Sequence, residues 1–435
     1  MFVIRPFSRD SRLNYLVTVA WVLGVLAMAT GCSTTPSGPG PSSTAWPGRQ
    51  PDGYTRLHNQ WLIKPVGDQI ALGDFPVNLA LDPSGRFAAV LHAGYKQHEI
   101  RVIDLRTHAT VAVRPVHEAF QGIAFSPDGR VLVCSGGGDE VLHVYGFDQG
   151  RLTPRRDIRL APAKDAGIVG GVAFSPDGRR VAATILFDSR MVCADLATGR
   201  IVWNTVLNPG SAPRARHRDM AQAPNAGLGG ATLDEQDQPL AVAWDPKRDR
   251  IYATQWGRSA VSVLDASDGS VEAQWKTGLH PNELLLLPDS SRLFVANGGG
   301  NTITVLDAAT GETVETLCSA LAADDPPGST PDALALDPTG QRLFAANAYN
   351  DNVAVFDVSD AGHSRPLGFI PTGWFPTALR VTPDGGDLIV VSARGLEPKP
   401  SSEPSGKYTP IGGLYAGSLG IVALPRGNAF DSTLA

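Results

Sequence analysis

Short apolar runs closed by turn residues recur along this 435-residue chain. Seven of them share one form, at residues 77–86, 122–130, 171–179, 241–247, 283–289, 333–340 and 378–385. Each is a strand-length apolar run followed by Pro-Asp-Gly or a variant. Pro presets φ, Asp bonds nearby backbone, and Gly supplies a positive φ, so each run ends in a tight turn. The prolines Pro83, Pro127, Pro176, Pro246, Pro288, Pro338 and Pro383 lie 44, 49, 70, 42, 50 and 45 residues apart. Apart from the 70, that is the period of propeller blades.

The rest of each unit completes a blade. A second apolar strand follows the turn, as at residues 292–296 or 341–346, and a polar loop follows it, as at 297–301. A third, alternating strand ends in Asp307 or Asp357, and a Thr-Gly or Asp-Gly turn leads to the fourth, as at 311–317. Four antiparallel strands make one blade. The pattern predicts an all-β chain, a seven-bladed β-propeller of four-stranded antiparallel blades over residues 60–425. Residues 61–73 read as a fourth strand without the preceding three, and the last unit, through residue 424, has three strands and lacks the fourth. The N-terminal strand is therefore expected to complete the last blade, which removes two edges open to unwanted pairing. Residues 205–238 lack the repeat and read as a loop insertion that accounts for the long spacing. Residues 426–435 form a C-terminal tail.

The N-terminus reads differently. Arg5, Arg9 and Arg12 precede an apolar run from Tyr15 to Ala29, too short for a comfortable span and of signal-peptide length. It ends Ala29-Thr30-Gly31-Cys32, which resembles the bacterial lipobox, with Ala29 where that motif usually carries Leu. The resemblance implies a lipoprotein signal peptide over residues 1–31 and lipid on Cys32. A Ser-, Pro- and Gly-rich segment follows and is read as a flexible linker, residues 32–59. Ser33 after the cysteine resembles lipoproteins sent to an outer membrane. The expectation is an exported chain, periplasmic or at the cell surface, held to the membrane through its lipid.

The repeats resemble the YVTN-type propeller repeats of exported proteins. That resemblance implies fold and leaves activity open. The end of the chain is more specific. Arg394-Gly395-Leu396, and residues 412–425 after a Pro- and Ser-rich loop, look like the last blade of YVTN propellers fused to an alkaline-phosphatase-like phosphoesterase domain. In that family the phosphoesterase residues and metals lie downstream of the propeller, and only ten residues follow Pro425. The expectation is a propeller module without that domain, or one working with a separately encoded enzyme.

Charge and chemistry narrow the reading further. A formal net charge of −6 argues against nucleic acid as partner. The one cationic cluster, Arg214, Arg216, His217 and Arg218, lies in the insertion and reads as a solvated loop. Cys134, Cys193 and Cys318 form no metal-binding or redox spacing and read as buried free thiols. The chain contains no His-Glu-x-x-His, no Gly-x-Ser-x-Gly, no phosphate-binding Gly-Lys-Ser/Thr and no haem attachment motif. Its Gly-Gly-Gly runs at 136–138 and 298–300 lie between strands and are turns. No cofactor or metal is expected.

Strand alternation puts the Pro-Asp-Gly and Thr-Gly turns on one face and the less uniform loops on the other, where function usually sits. That second face should carry His280, Asn282, Glu283, Trp374, Phe375, Asn297, Asn301, Asn347 and Asn350. They are the candidate ligand or partner surface. His280, Glu283 and His217 are the only acid–base candidates, and Asn, His and Glu there equally suit capping of strand ends. Three functions remain. One is a non-catalytic envelope scaffold that binds a small ligand or a protein. Another is the propeller partner of a phosphoesterase. The third is a hydrolase similar to the seven-bladed lactonases.

Overall fold

The computed structural model of the chain describes residues 46–161, 167–208, 237–398 and 411–425. Cys32 and its signal segment, His217 with the neighbouring arginines, the body of the insertion and the C-terminal tail lie outside them.

Seven four-stranded antiparallel sheets form the ring. Blade 1 runs Pro76–Leu81, Phe87–His92, Glu99–Asp104 and Ala109–Pro115, and blades 2 to 6 repeat that order. Blade 7 combines Trp374–Val381, Asp387–Gly395 and Ser418–Ala423 with the N-terminal strand Asp68–Ala71. Leu419 pairs with Ile70 and Gly420 with Gln69, so the two ends of the propeller share one sheet. The first strands of successive blades pack side by side around the axis, Trp374–Val381 against Pro76–Leu81 included.

The closing strand is shorter than the sequence pattern indicated. Residues 61–73 read as one strand, but Leu62–Ile63 joins a separate small sheet with Gly48–Arg49 and Thr55–Arg56. Pro65 and Gly67 interrupt the run. Gly67 has φ +74°, and a Cβ there would lie 2.1 Å from the Ile421 carbonyl oxygen. Part of the segment assigned to the linker is thus ordered sheet. Cys318 also departs from expectation: it is exposed, because it ends an outermost strand, Thr313–Cys318, while Cys134 and Cys193 are buried.

The repeated motif has two structural jobs. Within the turn, the Gly85 N–H donates to the Asp82 carbonyl at 2.8 Å. The Asp82 carboxylate also accepts from the Phe87 N–H at 2.6 Å. Between blades, the turn glycine faces the proline of the preceding blade. A Cβ on Gly129 would lie 2.9 Å from Pro83, and one on Gly85 would lie 2.6 Å from Pro383. Pro and Gly therefore set both the turn and the blade spacing.

The core lies between blades rather than within them. Seven apolar clusters occupy the seven junctions. The junction that closes the ring packs Leu72, Leu79, Val90 and Ile103 against Ala378, Ile389, Val391 and Leu419. Each blade depends on both neighbours for burial. A chain beginning at Phe75 loses the closing strand and leaves Ser418–Ala423 as an open edge. It is expected to unfold at a lower temperature than the full chain and to self-associate; calorimetry and size-exclusion chromatography check this, and an equally stable monomer would show the closing strand to be dispensable.

Candidate functional site

The first strands surround a central channel of about 460 Å³. Its wall has two chemically distinct sectors. Blades 2, 3 and 4 supply Ile123, Val172, Val242 and small residues such as Gly171 and Ala243. Blades 5, 7 and 1 supply Glu283, Arg380 and Asn78. The sequence folds this way because the repeat places small residues at these inner positions, and these three depart from the pattern. At the third position before the turn proline, Arg380 stands where the six other blades carry Ala or Leu. At the fifth, Glu283 and Asn78 stand where the others carry Gly or Ala.

The two charges are poorly paired. The Arg380 guanidinium donates to its neighbouring Leu379 carbonyl at 2.7 Å and reaches Asn78 Oδ1 at 3.5 Å. Glu283 accepts one backbone N–H, from Leu284, at 3.1 Å. Both groups are enclosed by protein yet touch the channel space. Burial pushes the Glu283 carboxyl above its ordinary pKa, although the Arg380 charge and the Leu284 N–H pull it down. Burial likewise lowers the Arg380 pKa, with Glu283 opposing. Asp332 stands beside them towards the loop face. Asn282 Nδ2 donates to its Oδ1 at 2.8 Å. Burial nonetheless raises the Asp332 pKa to about 7, and the Glu283 charge adds to the rise.

The other candidates divide between the loop face and the interior. His280 stacks on Trp256 with ring centroids 3.8 Å apart, and its Nδ1 lies 3.1 Å from the Trp256 carbonyl oxygen. Glu283 faces the channel instead, so the structure does not join His280 and Glu283 as an acid–base pair. Asn297 and Asn347 are buried and fasten their own loops. Asn297 donates to Thr302 and Thr304, and Asn347 to the Ser319 carbonyl and Asn352. Asn301 holds the 325–329 loop through four hydrogen bonds. Asn350 bonds Ser329 Oγ at 2.9 Å.

Trp374 and Phe375 belong to an aromatic group on the loop face. Trp374 meets His58 and Tyr415, each at 5.9 Å, and Phe375 meets Tyr349 at 5.2 Å. The Arg394 guanidinium lies over all three neighbouring rings, 4.2 Å from Phe375, 5.2 Å from Trp374 and 5.4 Å from Tyr415. Such cation–π contacts hold an arginine without hydrogen bonds. Asp351 accepts the Phe375 N–H at 2.8 Å, and burial raises its pKa to about 7 against the pull of Arg394. Phe375 has positive φ, as do Phe75, Ile168, Gln238, His280 and Thr330 at the same place in their blades. The strained φ is thus a property of blade entry and marks no particular site.

Comparisons with known proteins agree on architecture. Residues 190–395 match the family described as "Lactonase, 7-bladed beta-propeller". Residues 109–145 match "WD domain, G-beta repeat". The fold is that of a seven-bladed β-propeller. The structure is similar to Kuenenia stuttgartiensis hydrazine synthase, with a TM-score of 0.57 and 15% identity, covering 74% of this chain and 93% of that one. At that identity the likeness is one of fold. No curated protein matches the sequence. The lactonase match contains Glu283, Asp332 and Arg380, whereas Asn78 lies outside it.

His92 ends the second strand of blade 1, opposite Pro76, at the junction that closes the ring. It is fully buried, and burial, with the Arg101 charge adding, pushes its pKa down to about 4. The unfolded chain would titrate it near 6.5, so the folded state resists its protonation. Stability from this residue is intact above pH 6.5 and declines as pH falls from 6.5 to 4, by about 3 kcal/mol in all. Asp332 and Asp351 titrate in the opposite sense, so His92→Asn isolates the effect. The stability gap between wild type and variant in urea unfolding is expected to shift towards the variant across that window; a pH-independent gap would refute the assignment.

Proposed function

We propose that this chain is a ligand-binding propeller of the bacterial cell envelope, tethered through lipid on Cys32, that takes a small polar ligand in its central channel. One observation carries the reading. Glu283 and Arg380 enter the same cavity from separate blades, and no ion pair joins them. Placing charges in a largely enclosed space costs desolvation energy, and partial pairing does not return it. Such unspent polar groups converging in a concave site are the usual form of a ligand pocket. The lipid tether rests on Ala29-Thr30-Gly31-Cys32 and the positive segment before it. The aromatic group around Arg394 offers a second, exposed surface for an envelope protein, as aromatic and arginine residues commonly do at interfaces.

Lactone hydrolysis is a second reading, favoured by the family match over residues 190–395. A carboxyl whose pKa is raised by burial suits proton transfer better than an ordinary one, and a guanidinium can stabilise the oxyanion formed when water attacks a lactone carbonyl. In that reading Glu283 handles the proton and Arg380 holds the oxygen.

Calorimetric titration of the full chain with small acids, amino acids, sugars and lactones, alongside a lactone-hydrolysis assay, separates the readings. Binding without turnover, weakened at least tenfold by Arg380→Ala, is expected. Turnover lost in Glu283→Gln would make the chain a hydrolase, and wild-type protein that neither binds nor turns over any of them would remove the channel reading. For the tether, Cys32→Ser is expected to move the chain from the membrane fraction to the soluble one; continued membrane association would sink it.

A further inference from the structure

The charges in the channel are separated in a way that defines what can join them. Glu283 is in blade 5 and Arg380 in blade 7, with blade 6 between. At the two corresponding positions blade 6 carries Ala333 and Ala335, so neither position puts a charge between them. Each charge is fixed to its own strand of a rigid ring. The register also orders them along the channel. Arg380 lies three residues before its turn proline, Glu283 five and Asp332 six. Arg380 is therefore nearer the turn face, where blade 6 also supplies Asp337, and Glu283 and Asp332 are nearer the loop face.

Resting on the channel reading, we propose that the ligand is a small zwitterion, an amino acid whose carboxylate meets Arg380 and whose ammonium group meets Glu283. The guanidinium presents several N–H donors in one plane, the geometry that suits a carboxylate. Its present partners, a neighbouring carbonyl and a distant amide oxygen, leave donors to spare. Glu283 has one backbone donor and no cationic contact, so an ammonium supplies the charge it lacks. Asp332, held by Asn282 just above, stands at the same end of the channel. The uncharged wall of blades 2 to 4, with Gln121, Ile123, Val172 and Ala243, faces the rest of the ligand.

A hydroxy acid of the same length satisfies Arg380 and leaves Glu283 without a cation. A simple amine does the reverse. The three classes therefore discriminate.

The test is isothermal titration of the full chain with glycine, alanine, β-alanine and 4-aminobutyrate. Glycolate, lactate and ethylamine serve as the matched analogues. At least one amino acid is expected to bind at least tenfold more tightly than its hydroxy or amine counterpart. Arg380→Gln and Glu283→Gln should each weaken it at least tenfold. Circular dichroism melts establish that both variants fold. A hydroxy acid bound as tightly as its amino counterpart, and lost on Arg380→Gln, overturns the zwitterion and leaves the channel reading standing. Amino-acid binding unchanged in both folded variants places it elsewhere and overturns both. Failure of all seven compounds to bind overturns the zwitterion alone, and the broader titration of sugars and lactones then decides the channel.

Discussion

In five of the seven blades a turn glycine packs against the proline of the preceding blade, and that contact limits how closely those blades approach. No blade has a core of its own, since the seven apolar clusters lie at the seven junctions. Blades must therefore approach closely enough to bury those side chains, and the approach is limited by what projects from the turn. A Cβ on Gly85 would meet Pro383 at 2.6 Å. That contact bridges the first and last blades, which are 298 residues apart along the chain. The strand Asp68–Ala71 fastens the same junction through backbone hydrogen bonds, and Leu72, Leu79 and Leu419 fill it. Turn chemistry, packing and closure meet at one place.

This arrangement explains where chemistry can reside. The second and third strands of each blade are buried between neighbours, and side chains there are committed to packing. Polar groups in that region, such as Asn297 and Asn347, tie down loops. The first strands differ, because one edge faces the channel and the ring would close equally well with small residues along it. Six blades use Ala or Leu where blade 7 has Arg380. A charged residue there bears the cost of burial, and what it adds across the closing junction is one long hydrogen bond to Asn78 Oδ1.

Fold was more legible in the sequence than site. Turn residues at fixed offsets state blade number directly, and Pro83 through Pro383 repeat the same local chemistry. The boundary of the closing strand was less legible because Leu62 and Ile63 are apolar and strand-like wherever they pair, and only Gly67 against the Ile421 carbonyl shows where the run breaks. Glu283 was legible as a loop-face residue, but its nearness to His280 in sequence was misleading. Alternation along the inner strand sends Glu283 into the channel, while His280 sits at the entry turn and stacks on Trp256. Arg380 carried a signal in the aligned repeats, a charge at a position otherwise Ala or Leu, whereas the position of Asp332 also holds Gln121, Asn282 and Thr377 in other blades and gave none. Arg394 carried none, since its aromatic partners come from Trp374, Phe375 and Tyr415, which only the fold brings together.

The match to a lactonase family and the absence of familiar catalytic motifs are compatible once the channel is considered as a charge arrangement rather than as a set of roles. Arg380 would hold a carboxylate product, a lactone-derived oxyanion or an amino acid carboxylate by the same donors. What separates these cases lies opposite it. Hydrolysis needs Glu283 to exchange a proton with water or a leaving group, whereas binding an ammonium needs Glu283 to remain ionised throughout. Burial raises the Glu283 pKa and Arg380 lowers it, so the balance moves with whatever occupies the gap between them. A cationic group in the gap moves it towards the carboxylate, and a neutral group leaves the opposition of burial and Arg380 as it stands.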